Sequence, residues 1–115
     1  MTNLNFNGGN PPQRTIPAVN SSHGCVLYTL CRYGRKTALE LISYTGYAGA
    51  QERANELLNQ YYIPITKFDV LVNLPGRSTY VKSYGINWTL ISQADLQDFM
   101  DRAEAYYGDL PRPYS

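Results

Sequence analysis

Four residue types that build reactive centres are scarce in this chain. Among 115 residues there are one histidine, two cysteines, two methionines and one tryptophan. One histidine and two cysteines are too few for a closed four-ligand zinc site, so neither a metal nor another cofactor is expected. His23 and Cys25 lie close in sequence, but a Cys–His nucleophile needs a third, orienting group and adjacency in space. His23 falls near the first turn of a helix, where a polar residue is ordinary. There is no glycine-rich phosphate loop, no HExxH and no GxSxG. The reading is therefore of a protein without catalytic residues. Cys25 and Cys31 on one helix lie about 9 Å apart along its axis, too far for a disulfide, and two free thiols fit a reducing compartment. No apolar run approaches the roughly 20 residues that span a bilayer, and nothing resembles a signal peptide. A cytoplasmic protein with no membrane partner is expected.

What is present is a composition that folds: 43% hydrophobic and 17% charged residues, outside the disordered range. Eleven tyrosines suit interfaces, where the hydroxyl meets water or a partner, and equally suit strands and cores. The net charge of +1 argues against strong whole-molecule attraction to nucleic acid. Its distribution is less even. Residues 20–92 carry seven cations against four acids, or +3, and residues 93–115 two cations against five acids, or −3. A mildly basic body with an acidic end points to an anionic partner for the body.

Residues 1–19, rich in Asn, Gly and Pro, read as a flexible arm, with Ile16, Pro17 and Val19 able to dock. A domain over 20–91 follows, then a helix over 92–108 and a tail over 109–115. The first helix starts at Ser21 or Ser22 and stops at Gly34, leaving a short basic loop, Gly34-Arg35-Lys36. Thr37 with Glu40 forms a capping box for a short second helix to about Tyr44. Thr45-Gly46-Tyr47 breaks it. A third helix runs from about Ala48 to Gln60, with Ala50, Ala54, Leu57, Leu58 and Tyr61 on one face. Pro64 forbids its continuation. Two strands then flank Leu74-Pro75-Gly76-Arg77, a turn with Pro and Gly at the positions that need them. Residues 86–91 read as a further extended piece. Ser92 and Asp95 start the last helix, which reaches Tyr107.

Helix, short helix, glycine turn, longer helix, hairpin: this order is an α+β winged helix-turn-helix, three helices plus a β-hairpin wing, with an added C-terminal amphipathic helix. The residues VLYTLCRYG (26–34), TALELI (37–42), Gly46, Arg53 with Leu57, Pro64-Ile65 and the LPGR turn (74–77) resemble a family of small phage-encoded winged helix-turn-helix DNA-binding proteins. The similarity covers about half the chain. It departs from the family at two places. Glu52 and Glu56 flank Arg53 on a helix that is usually more basic, and the glycine expected just before the Pro-Ile pair is Tyr61 or Tyr62.

The resemblance implies a regulator or replication accessory factor that binds double-stranded DNA. On that reading Tyr47, Gln51, Arg53 and Asn55 face the major groove, where Arg pairs with guanine and Gln or Asn with adenine. Arg35 and Lys36 before the second helix, and Arg77, Ser78 and Lys82 on the wing, would contact phosphate. Three to five such contacts give a salt slope of roughly −3 to −4.5. Leu96, Phe99, Met100, Ala103 and Tyr107 form an apolar stripe on the last helix, read as core or as a homodimer contact. The alternative reading is a protein-interaction module, such as a phage inhibitor of a host protein, presenting acidic residues as a DNA mimic.

Overall fold

The fold is given by a computed structural model that describes residues 13–110. It is α+β, with four α-helices and a three-stranded antiparallel sheet, in a layout compatible with a winged helix. In chain order the elements are α1 (Ser22–Tyr33), β1 (Lys36–Thr37), α2 (Ala38–Thr45), α3 (Ala50–Asn59), β2 (Ile65–Leu74), β3 (Arg77–Ile86), a 3-10 turn (Ala94–Leu96) and α4 (Gln97–Tyr107). The sheet order is β1-β3-β2.

α1 is the centre of the molecule. Its residues from Gly24 to Leu30 are all buried, because α2, α3, α4 and β3 all pack around it. A helix covered on every side can be apolar all round, and the run Cys25-Val26-Leu27-Tyr28 is. Thr29, also buried, satisfies its hydroxyl by donating to the Cys25 carbonyl (2.8 Å). Ser21 caps the helix by accepting from the Gly24 N–H. Gly24 is required for another reason: a Cβ there would lie 2.1 Å from the Ala18 carbonyl oxygen. The segment before α1 therefore lies directly on the helix. Pro17 is buried and the Thr15 N–H donates to the Tyr61 carbonyl. The expected arm is thus docked over 13–19, and its first twelve residues lie outside the described ones.

The Thr37–Glu40 capping box is formed in both directions, and Gly46 closes α2 in the left-handed conformation, φ 77°. α3 is shorter than its pattern implies, Ala50–Asn59, because residues 47–49 form the turn. Two readings are corrected. The loop before α2 contains a short strand, since Lys36 and Thr37 pair with Tyr84 and Ser83. Residues 87–90 are a turn, not a strand. Asn87 accepts from Thr89 through its side chain (3.1 Å to N, 2.5 Å to Oγ1) and from Leu90 N–H through its carbonyl (3.0 Å), an Asx-type bend. Ser92 and Asp95 cap the last helical segment reciprocally.

The α4 stripe packs into the core, the first of its two readings. Leu96, Phe99 and Ala103 are buried, Met100 packs against the core, and Tyr107 stacks on Tyr28 with centroids 5.5 Å apart. Tyrosine hydroxyls then tie the ends of the described chain to this centre. Tyr28 donates to the Gly108 carbonyl (2.5 Å), Tyr107 to that of Val19 (2.6 Å), and Tyr33 accepts from the Leu110 N–H (2.7 Å). Burial pushes the phenols of Tyr28 and Tyr107 up.

Candidate nucleic-acid interface

The local geometry of the α2–α3 turn is built from three short bonds. Gly46 N–H donates to Ile42 (2.8 Å), Thr45 Oγ1 donates to Leu41 (2.7 Å), and Tyr47 N–H donates back to Thr45 Oγ1 (3.2 Å). α3 leaves this turn with Ala50, Ala54 and Leu57 buried and presents three further faces.

One flank carries Gln51 and Asn55. Asn55 donates to the Gln51 carbonyl (3.2 Å) and accepts from Lys67 Nζ at the base of β2 (3.0 Å). Tyr47 lies in the turn before the helix and is 39% exposed. It also lines a cleft of about 350 Å³ beside Tyr44, Tyr106 and Tyr107. The opposite flank carries Arg53, which bonds Glu56, and Glu56 in turn meets His23 Nε2 at 2.7 Å. His23 and Arg53 together hold the Glu56 carboxyl below its ordinary range. The outward face between the flanks shows Glu52 and Asn59, both exposed.

Of the residues expected to meet DNA, the structure brings Gln51 and Asn55 together, with Lys67 added, while Tyr47 lies before α3 on the cleft with Tyr106 and Tyr107. Arg53 is on the other flank, in an ion pair with Glu56 three residues on. Arg35 is turned inward. It donates to Thr66 Oγ1 (2.8 Å), the Thr66 carbonyl (3.1 Å) and the Ser83 carbonyl (3.2 Å), and its guanidinium lies 4.2 Å from the Phe68 ring centroid. Lys36 donates to the carbonyls of Tyr33 and Arg35 (3.0 and 3.2 Å) and sits over the Tyr44 ring. Lys82 pairs with Asp69 (2.8 Å), which raises its pKa. Ser78 bonds Asn73 (2.7 Å). Arg77 is at the exposed hairpin tip.

Seven cations on the body therefore reduce to two that no ion pair or inward bond holds among the described residues: Lys67, bonded only to a neutral amide, and Arg77. Lys67 was the residue that spacing missed. Strand alternation was the available signal, since it puts Lys67 on the same sheet face as buried Ile65 and Tyr84 and thus beside α3.

The chemistry of the rest is quiet. Cys31, half-buried on α1, has its thiol pushed up to about 12 by burial, so the reactive thiolate is not favoured. Among the described residues no group of three His, Cys, Asp or Glu side chains can hold a metal ion. A second cleft, about 250 Å³, lies between α1, α4 and Trp88, and neither cleft is lined by His23 or Glu56. No described helix is long and apolar enough to cross a membrane. Compared with known protein families, curated proteins and solved structures, the chain matches none of them.

Proposed function

We propose that this chain is a winged helix-turn-helix protein that binds duplex DNA through the Gln51–Asn55 flank of α3, with Tyr47 in the turn before it, in the manner its resemblance to phage-encoded regulators implies. The observation that carries the reading is the join between α3 and the hairpin. Lys67 at the wing base and Asn55 on the helix share one surface (3.0 Å), so a side chain that can read adenine sits beside a cation that can meet the neighbouring phosphate. Arg77 at the wing tip supplies a second cation. Two phosphate contacts give a salt slope of about −2, below the −3 to −4.5 that the count of cations implies.

The test is a fluorescence anisotropy titration of mixed-sequence duplex DNA across 50 to 200 mM salt. The expected result is weak binding with a log–log slope near −2, lowered by about one unit in Lys67→Ala. A folded protein that shows no binding at 50 mM salt overturns the reading.

A second reading has its own support. Glu52 stands exposed on the outward face of α3, and Asp98, Asp101 and Glu104 are exposed on α4. These acids fit a module that meets a basic protein surface in place of DNA. Capture of a host protein that survives nuclease, is lost at high salt and is lost in Glu52→Lys favours it.

A further inference from the structure

The hairpin extends past the helical body. β1 covers β3 only at Ser83 and Tyr84, and from Lys67 to Lys82 no residue is buried. This arm is apolar: Phe68, Leu71, Leu74 and Tyr80 are 56, 54, 41 and 69% exposed. It is also unguarded. β2 is the outer strand of the sheet, its ten pairs with β3 run without a bulge, and between residues 68 and 74 it carries one charge, Asp69, and no lysine or proline. Edge strands normally bear such interruptions because their free N–H and C=O groups recruit another strand.

We propose that β2 pairs antiparallel with β2 of a second copy about a two-fold axis at Leu71, joining the two arms into one sheet. The argument is the charge and polarity match of the rows that this register creates. β2–β3 partners place Tyr80 beside Leu71, Val81 beside Val70, and Lys82 beside Asp69. With the axis at Leu71, the Tyr80–Leu71 row meets its own copy, Val70 meets Val72, and Phe68 meets Leu74. Asp69, already neutralised by Lys82, meets Asn73. Each apolar side chain of β2 from Phe68 to Leu74 meets an apolar side chain of the second β2, and no like charges oppose across the new pairing.

Neighbouring registers fail. An axis at Val70 puts Asp69 against Leu71, and an axis at Asp69 opposes two carboxylates. The backbone is also suited. A two-residue turn closes on a hydrogen-bonded pair, here Leu74–Arg77, so ladder alternation points the N–H and C=O of Asp69, Leu71 and Asn73 outward. The opposite edge, β3, is the poorer candidate: β1 blocks it at Ser83 and Lys82 guards it. Seven paired residues with their flanking side chains cover on the order of 1,000 Å² in total, the size of a weak, transient interface, so the association is sought across micromolar concentrations.

This pairing does not depend on DNA binding and is tested without DNA. Sedimentation of the full chain from about 1 to 200 µM is expected to show mass rising from 13.0 kDa toward twice that value. Leu71→Lys opposes two cations at the axis and is expected to weaken association at least tenfold while circular dichroism stays unchanged. Oxidative cross-linking gives a second readout that survives if that variant misfolds. Leu71→Cys brings two Cα atoms to about 5.5 Å, within disulfide reach, and is expected to cross-link. Tyr80→Cys leaves the pair about 14 Å apart, three strand spacings, and is expected not to. A monomer at 200 µM, a dimer that Leu71→Lys leaves intact, or cross-linking through Tyr80→Cys in place of Leu71→Cys each overturns the proposal.

Discussion

Replacing Arg35 with alanine separates a phosphate ligand from a clamp inside the fold. The sequence places this arginine in a basic loop, but its guanidinium makes three hydrogen bonds to Thr66 and Ser83 and covers the Phe68 ring. It thereby bolts the segment after α1 to both strands of the hairpin. Bonds from a charged donor contribute about 1.5–3 kcal/mol each before water exposure discounts them, and the ring contact about 0.5–1 kcal/mol. Burial opposes them by lowering the arginine's pKa, and Nε has no hydrogen-bond partner, so the net loss in Arg35→Ala is about 2–3 kcal/mol. At this chain length that lowers the melting temperature by roughly 8–12 °C. Arg35→Lys keeps the charge without the planar fork and should recover less than half of the loss. Gly85→Ala should reproduce much of it from the other side, because a Cβ at Gly85 would lie 2.5 Å from Arg35 Nη1. The measurements are thermal melts followed by circular dichroism, and DNA titrations at three salt concentrations. The clamp is refuted if Arg35→Ala melts within 2 °C of the parent while the salt slope falls by one unit.

Two further substitutions test the backbone and the core. Tyr62 holds φ 57° and is the non-glycine residue with positive φ among those described. It is 45% exposed, so Tyr62→Gly gives up little packing, relieves left-handed strain of about 1–2 kcal/mol, and should stabilise by about 0.5–1 kcal/mol after its entropy cost; a lower urea midpoint contradicts this. Phe99→Ala should destabilise the chain by about 3–5 kcal/mol without altering sedimentation of the molecules that remain folded, whereas a dimer seam on α4 would lose association at unchanged stability.

The helices were legible because their ends carry local chemistry. Ser21, the Thr37–Glu40 box, Gly46 and the Ser92–Asp95 pair each form the bond that their spacing implies. The bend before Pro64 had no such local mark: Tyr62 takes a left-handed conformation, φ 57°, despite its side chain. What failed was decided by bonds outside those end signals. β1 is only two residues long and exists because β3 offers an edge at Ser83 and Tyr84. Residues 86–91 have strand-like composition, yet Asn87 finds a closer partner in Thr89, and local side-chain bonding overrides propensity. The α4 stripe is the same pattern whether it meets a core or a second copy.

The cations show where sequence reasoning stops and where it had further to go. Once Leu74 and Arg77 flank the turn, each residue of β2 has a fixed partner on β3, so Asp69 opposite Lys82 and Leu71 opposite Tyr80 follow from the turn alone. Lys82 as half of an ion pair was therefore within reach, and so was the apolar row on the arm. Arg35 was not, because its partners Thr66 and Ser83 are 31 and 48 residues away and only tertiary packing turns it inward. A net charge of +3 over residues 20–92 counts both as free. Removing them, with Lys36 held by carbonyls and Arg32 and Arg53 by Asp109 and Glu56, leaves Lys67 and Arg77 at opposite ends of one hairpin. On the proposed DNA-binding reading, two cations so placed favour contacts that bridge from α3 to the hairpin tip, and the proposed second copy on the same sheet would multiply the affinity by bringing two such faces to one duplex.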